Sequence, residues 1–451
     1  MIQEEGQMHR SHVWLAVLAA LLLVPASATA GNYPPPSDPG SGTGKSHGKG
    51  QTLTVCKRGC DYKNIQKAID AASGKDTIRV KKGTYRESVQ IVGSRYDGLK
   101  LIGDPKHRDR VVLDGKSLKS GDAQNAVLLN NADDVTVRGF HAVHYKANCF
   151  FATNLQDYVL DQLEAERCGV YGVYAFNSKG GVMSNSEAYY NPDSGFYVGQ
   201  TPPQKGRKKR TLVKNVSSWG NVLGFSGTNM RYTTITKSRW FNNGAGIVPN
   251  VLDSEKYYPP TGNVLSDNDV FWNNFNFYFG APFKIPQQSA ASIPYPIGIG
   301  ILLFGSQNTV VENNRIFGNY LGGFAEVPAV QLSGNADPKK NEASILRNNT
   351  VRGNDFGGGN DLNGRDMLYD GSGSGNCFEG NTTRSPNLPA NNGTFVACPG
   401  PNPNVTDPAV LPLALTIGLG DPKDPASFEK NWIKHPHPAR KGVKPLEHYG
   451  G

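Results

Sequence analysis

Long apolar runs are nearly absent from this sequence of 451 residues, because only Val13–Pro25 forms one. Charged residues are also sparse at 19%, and no lysine- and arginine-rich helical stretch would fit a DNA groove. The leucine-rich periodicity of helical bundles is missing too. These absences exclude a polytopic membrane protein and a helical bundle, and they argue against a nucleic-acid partner.

Glycine, by contrast, is abundant at 53 residues, and asparagine is frequent. This composition is typical of many short strands joined by tight turns. The formal net charge of +9 suits a protein that meets acidic glycans or an acidic cell envelope.

The N-terminal apolar run is followed by Ala28-Thr29-Ala30, a small-residue cleavage pattern. We expect residues 1–30 to be a signal peptide, with a retained membrane anchor as the alternative. Residues 31–50 are rich in Pro, Gly and Ser and read as a flexible linker. The sequence therefore predicts a secreted or extracytoplasmic protein with no membrane span after signal removal.

An even number of cysteines in an exported chain indicates disulfides. Pairing of sequence neighbours would give Cys56–Cys60, Cys149–Cys168 and Cys377–Cys398, although sequence alone allows fifteen pairings. A zinc site is the rival interpretation, but no CxxC motif or close histidine pair supports it.

After Ala126 the sequence repeats itself every 23 residues. Asparagine or glutamine recurs at one position, aromatic or bulky residues at two others and alanine at a fourth. The members are Asn131, Asn154, Asn177 and Gln200; Leu128, Phe151, Tyr174 and Tyr197; Val127, Phe150, Val173 and Phe196; and Ala142, Ala165 and Ala188. A fixed period of this size predicts stacked coils of three short strands, a parallel β-helix.

The repeated positions also predict where each column of side chains lies in the coil. Asparagine tolerates the left-handed corner conformation, so its column would lie at a corner and form a hydrogen-bonded ladder. The alanine column and the Phe150 column would face inward and build the core.

Two stretches resemble a known family. Residues 62–89, YKNIQKAIDAASGKDTIRVKKGTYRESV, resemble the N-terminal cap and first coil of the pectin-lyase-like superfamily. Residues 193–200 and 221–225 resemble exported bacterial members, which are mostly uncharacterised. The resemblance, over roughly residues 51–380, implies an all-β, single-stranded right-handed parallel β-helix with a short capping helix. We assign it residues 51–400 and expect a Pro-rich C-terminal tail at 401–451.

The superfamily includes pectate lyases, polygalacturonases, pectin methylesterases and uronan epimerases. This sequence lacks the paired-aspartate DFIFG segment of the methylesterases, the NTD, DD and GHG set of the polygalacturonases and the DPH triplet of the epimerases. The resemblance therefore predicts the fold and leaves the activity open.

Candidate chemistry follows from the strand alternation around the inward alanines. His141, Glu164 and Glu187 would form a vertical line, with Arg167 and Tyr190 within reach. Such a group offers a base from His141 or a tyrosine, a carboxylate clamp from Arg167 and a carboxyl pair, which suits lyase or glycoside hydrolase chemistry. The alternative is an ordinary solvated ladder of charges.

Tyr174 and Tyr197, in the aromatic column, would stack on sugar rings if they are exposed. That column would instead be core if an insert loop or the tail covers it. Asp193 is a candidate substrate contact or merely a turn residue. Asp133 and Asp134 would suit Ca²⁺, but a turn is the simpler interpretation, and we expect no other cofactor.

The sequence thus predicts an exported protein that binds an acidic polysaccharide or cell-envelope glycan. If it is an enzyme, it would cleave that polysaccharide by lyase or hydrolase chemistry. A non-catalytic glycan- or envelope-binding solenoid is the alternative. A third, weaker hypothesis is an accessory factor for an exported metalloenzyme.

Overall fold

The structure, a computed structural model, describes residues 50–119, 121, 123–252, 255–275, 297–329, 338–358, 361–390 and 393–410. The signal peptide predicted at 1–30, all but the last residue of the linker at 31–50, and the tail beyond residue 410 lie outside these ranges. Across the described ranges, no helix is both long and apolar enough to cross a membrane.

The described chain is built from short strands, two short α-helices, α1 (Ile65–Ala71) and α2 (Pro338–Ala343), and two single-turn 3-10 helices, Ser94–Tyr96 and Arg108–Arg110. The strands in chain order are β1 (Thr52–Val55), β2 (Thr77–Val80), β3 (Gly83–Tyr85), β4 (Val89–Val92), β5 (Lys100–Ile102), β6 (Val111–Asp114), β7 (Asn125–Asn130), β8 (Thr136–Val143), β9 (Asn148–Thr153), β10 (Val159–Glu166), β11 (Val173–Phe176), β12 (Val182–Ser184), β13 (Glu187–Tyr189), β14 (Ser194–Gly199), β15 (Thr211–Lys214), β16 (Ser217–Trp219), β17 (Leu223–Thr228), β18 (Thr233–Thr236), β19 (Arg239–Phe241), β20 (Ala245–Asn250), β21 (Val264–Ser266), β22 (Asp269–Phe271), β23 (Ile299–Phe304), β24 (Val310–Glu312), β25 (Arg315–Phe317), β26 (Gly322–Val327), β27 (Thr350–Arg352), β28 (Asp355–Phe356), β29 (Met367–Tyr369) and β30 (Cys377–Glu379).

These strands pair in parallel and form three stacks along one axis. The first stack is the sheet β4-β7-β9-β11-β14-β17-β20-β23-β26-β29. The second contains β12, β15, β18, β21, β24, β27 and β30, and the third contains β13, β16, β19, β22, β25 and β28. The longer strands β8 and β10 span the bend between the second and third stacks. The chain is therefore a parallel β-helix with three strands per coil, as the 23-residue period predicts.

The register follows the repeat. Phe150 pairs with Val173, and Val173 pairs with Phe196, so these side chains lie directly above one another. All three are fully buried and continue through Phe225 and Ile247 in the next coils. Burying each such side chain contributes about 1.5–3 kcal/mol to folding, so the inward column is the main stabilising feature of the solenoid.

Asparagines form the corners, as predicted. Asn131, Asn154, Asn177 and Gln200 all have a positive φ, between 45° and 57°. Asn177 Nδ2 donates to Asn154 Oδ1 at 2.8 Å, and Asn154 Nδ2 donates to Asn130 Oδ1 at 2.9 Å. The ladder therefore shifts by one residue at its lower end, from Asn131 to Asn130.

The helix α1 closes the N-terminal end of the stack. Its Ile65, Ala68 and Ile69 side chains are fully buried, as their helical spacing predicts. The first-turn amides of Ile65 and Gln66 donate to the two carboxylate oxygens of Glu87 at 3.0 and 3.1 Å, so a residue of the first coil caps this helix.

The three cysteine pairs expected from sequence proximity are confirmed. Disulfides join Cys56 to Cys60, Cys149 to Cys168 and Cys377 to Cys398, and the described residues include no free cysteine. The zinc alternative is therefore wrong, because disulfide sulfurs cannot act as thiolate ligands.

Candidate active site

The third stack carries the predicted line of polar residues. Glu164 pairs in register with His141 on one side and with Glu187 on the other. The alanines next to them, Ala142, Ala165 and Ala188, are fully buried and face the core. His141, Glu164 and Glu187 consequently point outward from three successive coils, about 4.8 Å apart.

Tyr189 connects two carboxylates in this region. Its hydroxyl lies 2.6 Å from Glu164 Oε1 and 3.2 Å from Glu166 Oε2, which are the outward residues on either side of Ala165. The Trp219 ring stacks on the Tyr189 ring at 4.4 Å and 8° and fixes its orientation. Burial and the neighbouring Glu164 carboxylate raise the pKa of Tyr189 well above its usual value, so the hydroxyl keeps its proton.

His141 supplies a basic nitrogen beside the same carboxylates. Its Nε2 lies 3.2 Å from Glu166 Oε2. An ionised carboxylate only accepts hydrogen bonds, so this contact assigns the proton to Nε2 and leaves the lone pair on Nδ1. Burial holds the pKa of His141 below its usual value, against the opposing effect of Glu164, so the ring is neutral at neutral pH.

Two arginines complete the group. Arg108, in the turn before β6, lies 3.3 Å from Glu164 through Nε and 3.3 Å from Glu187 through Nη2. Arg167 forms an ion pair with Glu166 and lies 4.8 Å above the centre of the Tyr190 ring. We call this set the acid–base cluster; its members are Arg108, His141, Glu164, Glu166, Arg167, Glu187 and Tyr189.

The acid–base cluster lies at the protein surface with most of each side chain covered. The exposed side-chain fractions are 17% for His141, 18% for Glu164 and 41% for Glu187. A neutral imidazole, a protonated phenol and two guanidinium groups are thus held within one hydrogen-bonded set. Such a set can accept a proton and donate a proton, and each guanidinium group is already paired with a carboxylate of the cluster.

Sequence reasoning identified part of this cluster. It brought together His141, Glu164, Glu187 and Arg167 and offered a tyrosine as a base, but it left Arg108 and the contact of Tyr189 with Glu164 and Glu166 unrecognised. Tyr190, expected to be catalytic, packs its ring against Trp219 at 4.9 Å and lies under the Arg167 guanidinium. Its described contacts make it a support for Arg167.

The aromatic column is stacked as predicted but is not an exposed strip. The rings of Tyr174 and Tyr197 lie 4.6 Å apart, yet these side chains are only 2% and 5% exposed. Tyr171 packs on both rings, and Glu255, from an insert loop, lies 3.5 Å from the Tyr197 hydroxyl. The expectation of open sugar-stacking faces is therefore wrong, because corner and loop residues cover the column, as the core alternative stated.

Asp193 is also buried. It is 7% exposed, and its Oδ1 accepts a 2.7 Å hydrogen bond from the Ser194 hydroxyl. Burial raises the pKa of Asp193 to about 6. These contacts fit the turn interpretation and leave its carboxylate poorly placed to meet a polymer.

The Asp133 carboxylate accepts hydrogen bonds from the Gln156 amide nitrogens, N and Nε2, both at 3.0 Å. Asp134 has a φ of 56°, as expected for a corner. Within the described ranges, no three histidine, cysteine or acidic side chains come together as a metal site. The hydrogen bonds of Asp133 and the backbone of Asp134 fit the turn interpretation.

No protein-family model matches this chain, and no curated protein matches it either. Similar solved structures include the A-module of mannuronan C-5 epimerase AlgE4 from Azotobacter vinelandii, with 17% identity and a TM-score of 0.50, covering 71% of this chain and 90% of that one. The AlgE6 A-module from the same organism has 17% identity and a TM-score of 0.47 over 76% and 95%. A rhamnogalacturonan lyase has 15% identity and a TM-score of 0.38 over 74% and 83%.

The likeness to the AlgE4 module establishes the fold, at an identity too low to carry an activity. Together with the three parallel stacks, it confirms the predicted right-handed parallel β-helix fold.

Proposed function

Starting from this fold, we propose that the chain is an exported enzyme that cleaves an acidic polysaccharide by proton transfer at a uronic acid residue. The observation that carries the proposal is the acid–base cluster, in which a neutral histidine and a protonated tyrosine lie within one set of carboxylates and arginines. The three disulfides support export, since such bonds persist in oxidising compartments.

The proposed reaction is β-elimination. Nδ1 of His141 takes the proton from C5 of the uronate. Arg108 and Arg167 turn from Glu187 and Glu166 to the sugar carboxylate and neutralise it, which stabilises the resulting charge. The C4–O4 bond then breaks while a C4=C5 double bond forms. The Tyr189 hydroxyl turns from Glu164 to the leaving oxygen and gives it a proton.

Retaining hydrolysis is a second candidate, favoured by one specific observation. Glu164 and Glu166 share the Tyr189 hydroxyl, so their nearest oxygens lie within about 6 Å, close to the carboxyl separation of retaining glycosidases. The products distinguish the two reactions, because elimination gives an unsaturated sugar that absorbs ultraviolet light, whereas hydrolysis gives only new reducing ends.

A non-catalytic glycan-binding solenoid is the third candidate. Ion pairs also join neighbouring coils elsewhere in these stacks, for example Arg315 with Asp269 and Arg352 with Glu312. Such pairs stabilise a ladder modestly without any chemistry.

The test is turnover of a panel of polyuronides and glycosaminoglycans. Tyr189→Phe and His141→Gln should each lower kcat by about 100-fold or more, the usual contribution of a general acid or base. Tyr62→Phe, at the N-terminal end of the solenoid, is the matched control and should leave kcat unchanged. The rate should also fall only below the usual histidine pKa, because the neutral form of His141 is the active one.

Unchanged turnover in both variants would remove the acid–base cluster from the mechanism. Absence of turnover together with saturable binding would support the glycan-binding candidate.

A further inference from the structure

A polar groove runs along the bend between the second and third stacks. It has a volume of about 530 Å³ and is lined by Asn215, Ser217, Lys237, Arg239, Asp267 and Arg315, among others. Its walls are the first outward residue of each third-stack strand, such as Ser217 and Arg239, and the corner residue of each coil, such as Asn215 and Lys237. We call it the bend groove.

The bend groove continues the line of the acid–base cluster. Glu187 pairs in register with Ser217, and Ser217 pairs with Arg239 in the next coil. Neighbouring coils lie about 4.8 Å apart, so Arg239 is about 10 Å along the axis from Glu187. A linear polymer held at the acid–base cluster and aligned with the axis would therefore pass over Arg239.

Arg239 has no carboxylate partner among the described residues. Its Nη2 lies 3.3 Å from the Ser217 hydroxyl. The carboxylate next in register, Asp269, is occupied by Arg315 through two contacts of 2.6 Å. The Arg239 guanidinium is thus a positive charge that remains available to an anion.

Lys237 is the second such cation. It is exposed, and within the described part of the chain its ammonium group takes part in no hydrogen bond or ion pair. Asp267, the corner residue of the next coil, accepts a 3.4 Å hydrogen bond from the Thr236 hydroxyl and forms no ion pair with Lys237.

Lys237 lies at the corner of its coil. The bend corner has a positive φ in every coil from Gln162 onward, and asparagine occupies it at 185, 215 and 313. Lys237 has a φ of 52° in the same column, a conformation that asparagine tolerates better than lysine. Aspartate occupies the column at 267 and glycine at 353 and 380, so Lys237 places the only full positive charge among the corner residues at 162, 185, 215, 237, 267, 313, 353 and 380.

We propose that the bend groove binds a carboxylated linear polysaccharide, with Lys237 and Arg239 holding sugar carboxylates two coils beyond the acid–base cluster. This inference rests on the proposed function for the identity of the polymer. The groove would extend the binding site along the axis and make affinity depend on chain length.

The test measures the Kd of alginate and polygalacturonate oligosaccharides of increasing length by calorimetry, at low and high salt. Lys237→Asn and Arg239→Gln should each weaken binding of the longer oligosaccharides by about threefold, and the double variant by about tenfold. Asp267→Asn should tighten it, because it removes a negative charge from the groove. The losses of affinity in the Lys237 and Arg239 variants should be smaller at high salt, because salt screens the charges.

Two controls separate a binding role from a structural one. Lys67→Gln, on the exposed face of α1, removes the same charge far from the groove and should leave Kd unchanged. Lys237→Asn restores the residue type that the corner favours, so its Tm should be equal to or above that of the wild type while its affinity falls.

Equal losses in Lys67→Gln, or unchanged Kd in both groove variants, would overturn the proposal. Tighter groove-dependent binding of dextran sulfate than of the polyuronides would overturn the assignment of carboxylates. If binding depends on the groove residues but no turnover is found, this inference stands and the proposed reaction is rejected. If the protein turns over a polyuronide and Lys237→Asn binds it normally, the reaction stands and this inference is rejected.

Discussion

Glu326 is a carboxylic acid inside the solenoid. It lies between Leu303 and Tyr369 in register and is completely buried. Asn349 donates to its Oε1 at 2.7 Å, and its Oε2 has no hydrogen-bond partner among the described residues. Burial raises the pKa of Glu326 to about 8, so the folded chain holds this side chain in its neutral form at neutral pH.

This burial predicts a pH dependence of stability. Between about pH 4.5, the ordinary pKa, and about pH 8, the folded chain keeps a proton that the unfolded chain releases, so the free energy of unfolding falls as the pH rises. Glu326→Gln stays neutral and should lose less stability over this range. We expect its Tm relative to the wild type to be a few degrees higher at pH 9 than at pH 5, measured by calorimetry.

The matched control is Glu379→Gln, which removes an exposed carboxylate from β30. Its Tm difference from the wild type should be nearly the same at pH 5 and pH 9. Parallel pH curves for the wild type and Glu326→Gln would contradict the predicted protonation of Glu326.

Contacts made by residues outside the repeat could not be predicted from the sequence. Arg108 contacts Glu164 although it precedes it by 56 residues, in a turn that belongs to no repeat, so no spacing could connect them. The burial of Tyr174 likewise depends on Tyr171 at a corner. The period predicts which residues of successive coils meet, whereas contacts from corners and inserts leave no periodic signal.

The asparagine ladders are the clearest element of the fold that joins coil to coil. Asn221 N donates to Asn243 Oδ1 at 3.1 Å, and Asn243 N donates to Asn273 Oδ1 at 3.2 Å. The Asn243 side-chain amide also bonds the carbonyl oxygens of Ser218 and Phe241 at 3.0 and 3.1 Å. Each amide thus satisfies buried backbone groups of its own coil and of a neighbouring one.

Asn243→Ala should therefore destabilise the protein by about 3 kcal/mol, because it leaves several buried donors and acceptors unpaired at once. Urea unfolding would measure the change. Asn215→Ala, at an exposed corner, is the comparison and should cost about 1 kcal/mol or less. Similar losses in the free energy of unfolding at the two positions would show that burial of the ladder does not determine its contribution to stability.

The sequence predicted the existence of a ladder, but at another corner. The 23-residue interval placed it at Asn154 and Asn177, where it occurs. The Asn221–Asn243–Asn273 ladder runs through Asn- and Gly-rich segments that recur in the sequence, such as FNNGAG at 241–246 and WNNFN at 272–276, but inserts of unequal length break the interval after Gln200. The corner segments were therefore recognisable from residue type, whereas which asparagine bonds which was not predictable once the interval was lost.

At the scale of the molecule, each coil contacts mainly the coils next to it, so stability should be local. The Cys377–Cys398 disulfide closes a segment between residues 21 positions apart near the C-terminal end of the described solenoid. In the same region, the Phe378 amide donates to the Val396 carbonyl at 2.8 Å.

Replacing Cys377 and Cys398 by alanine should lower local stability by about 3 kcal/mol through the lost chain restraint. Hydrogen exchange should quicken at Phe378 and Tyr369 and remain unchanged at Phe150 and Val173. Replacing Cys149 and Cys168 by alanine should give the reverse pattern. Uniform acceleration in either variant would show that the solenoid unfolds as one cooperative unit.

Helix α1 affects how copies of the solenoid can associate end to end. A bare end of a parallel stack offers unpaired amide and carbonyl groups that another copy can extend, which is how fibrils grow. Helix α1, only seven residues long, occupies that end with buried isoleucines and a first turn tied to Glu87. We expect this cover to hinder head-on addition of another copy at β4, the end strand of the first stack.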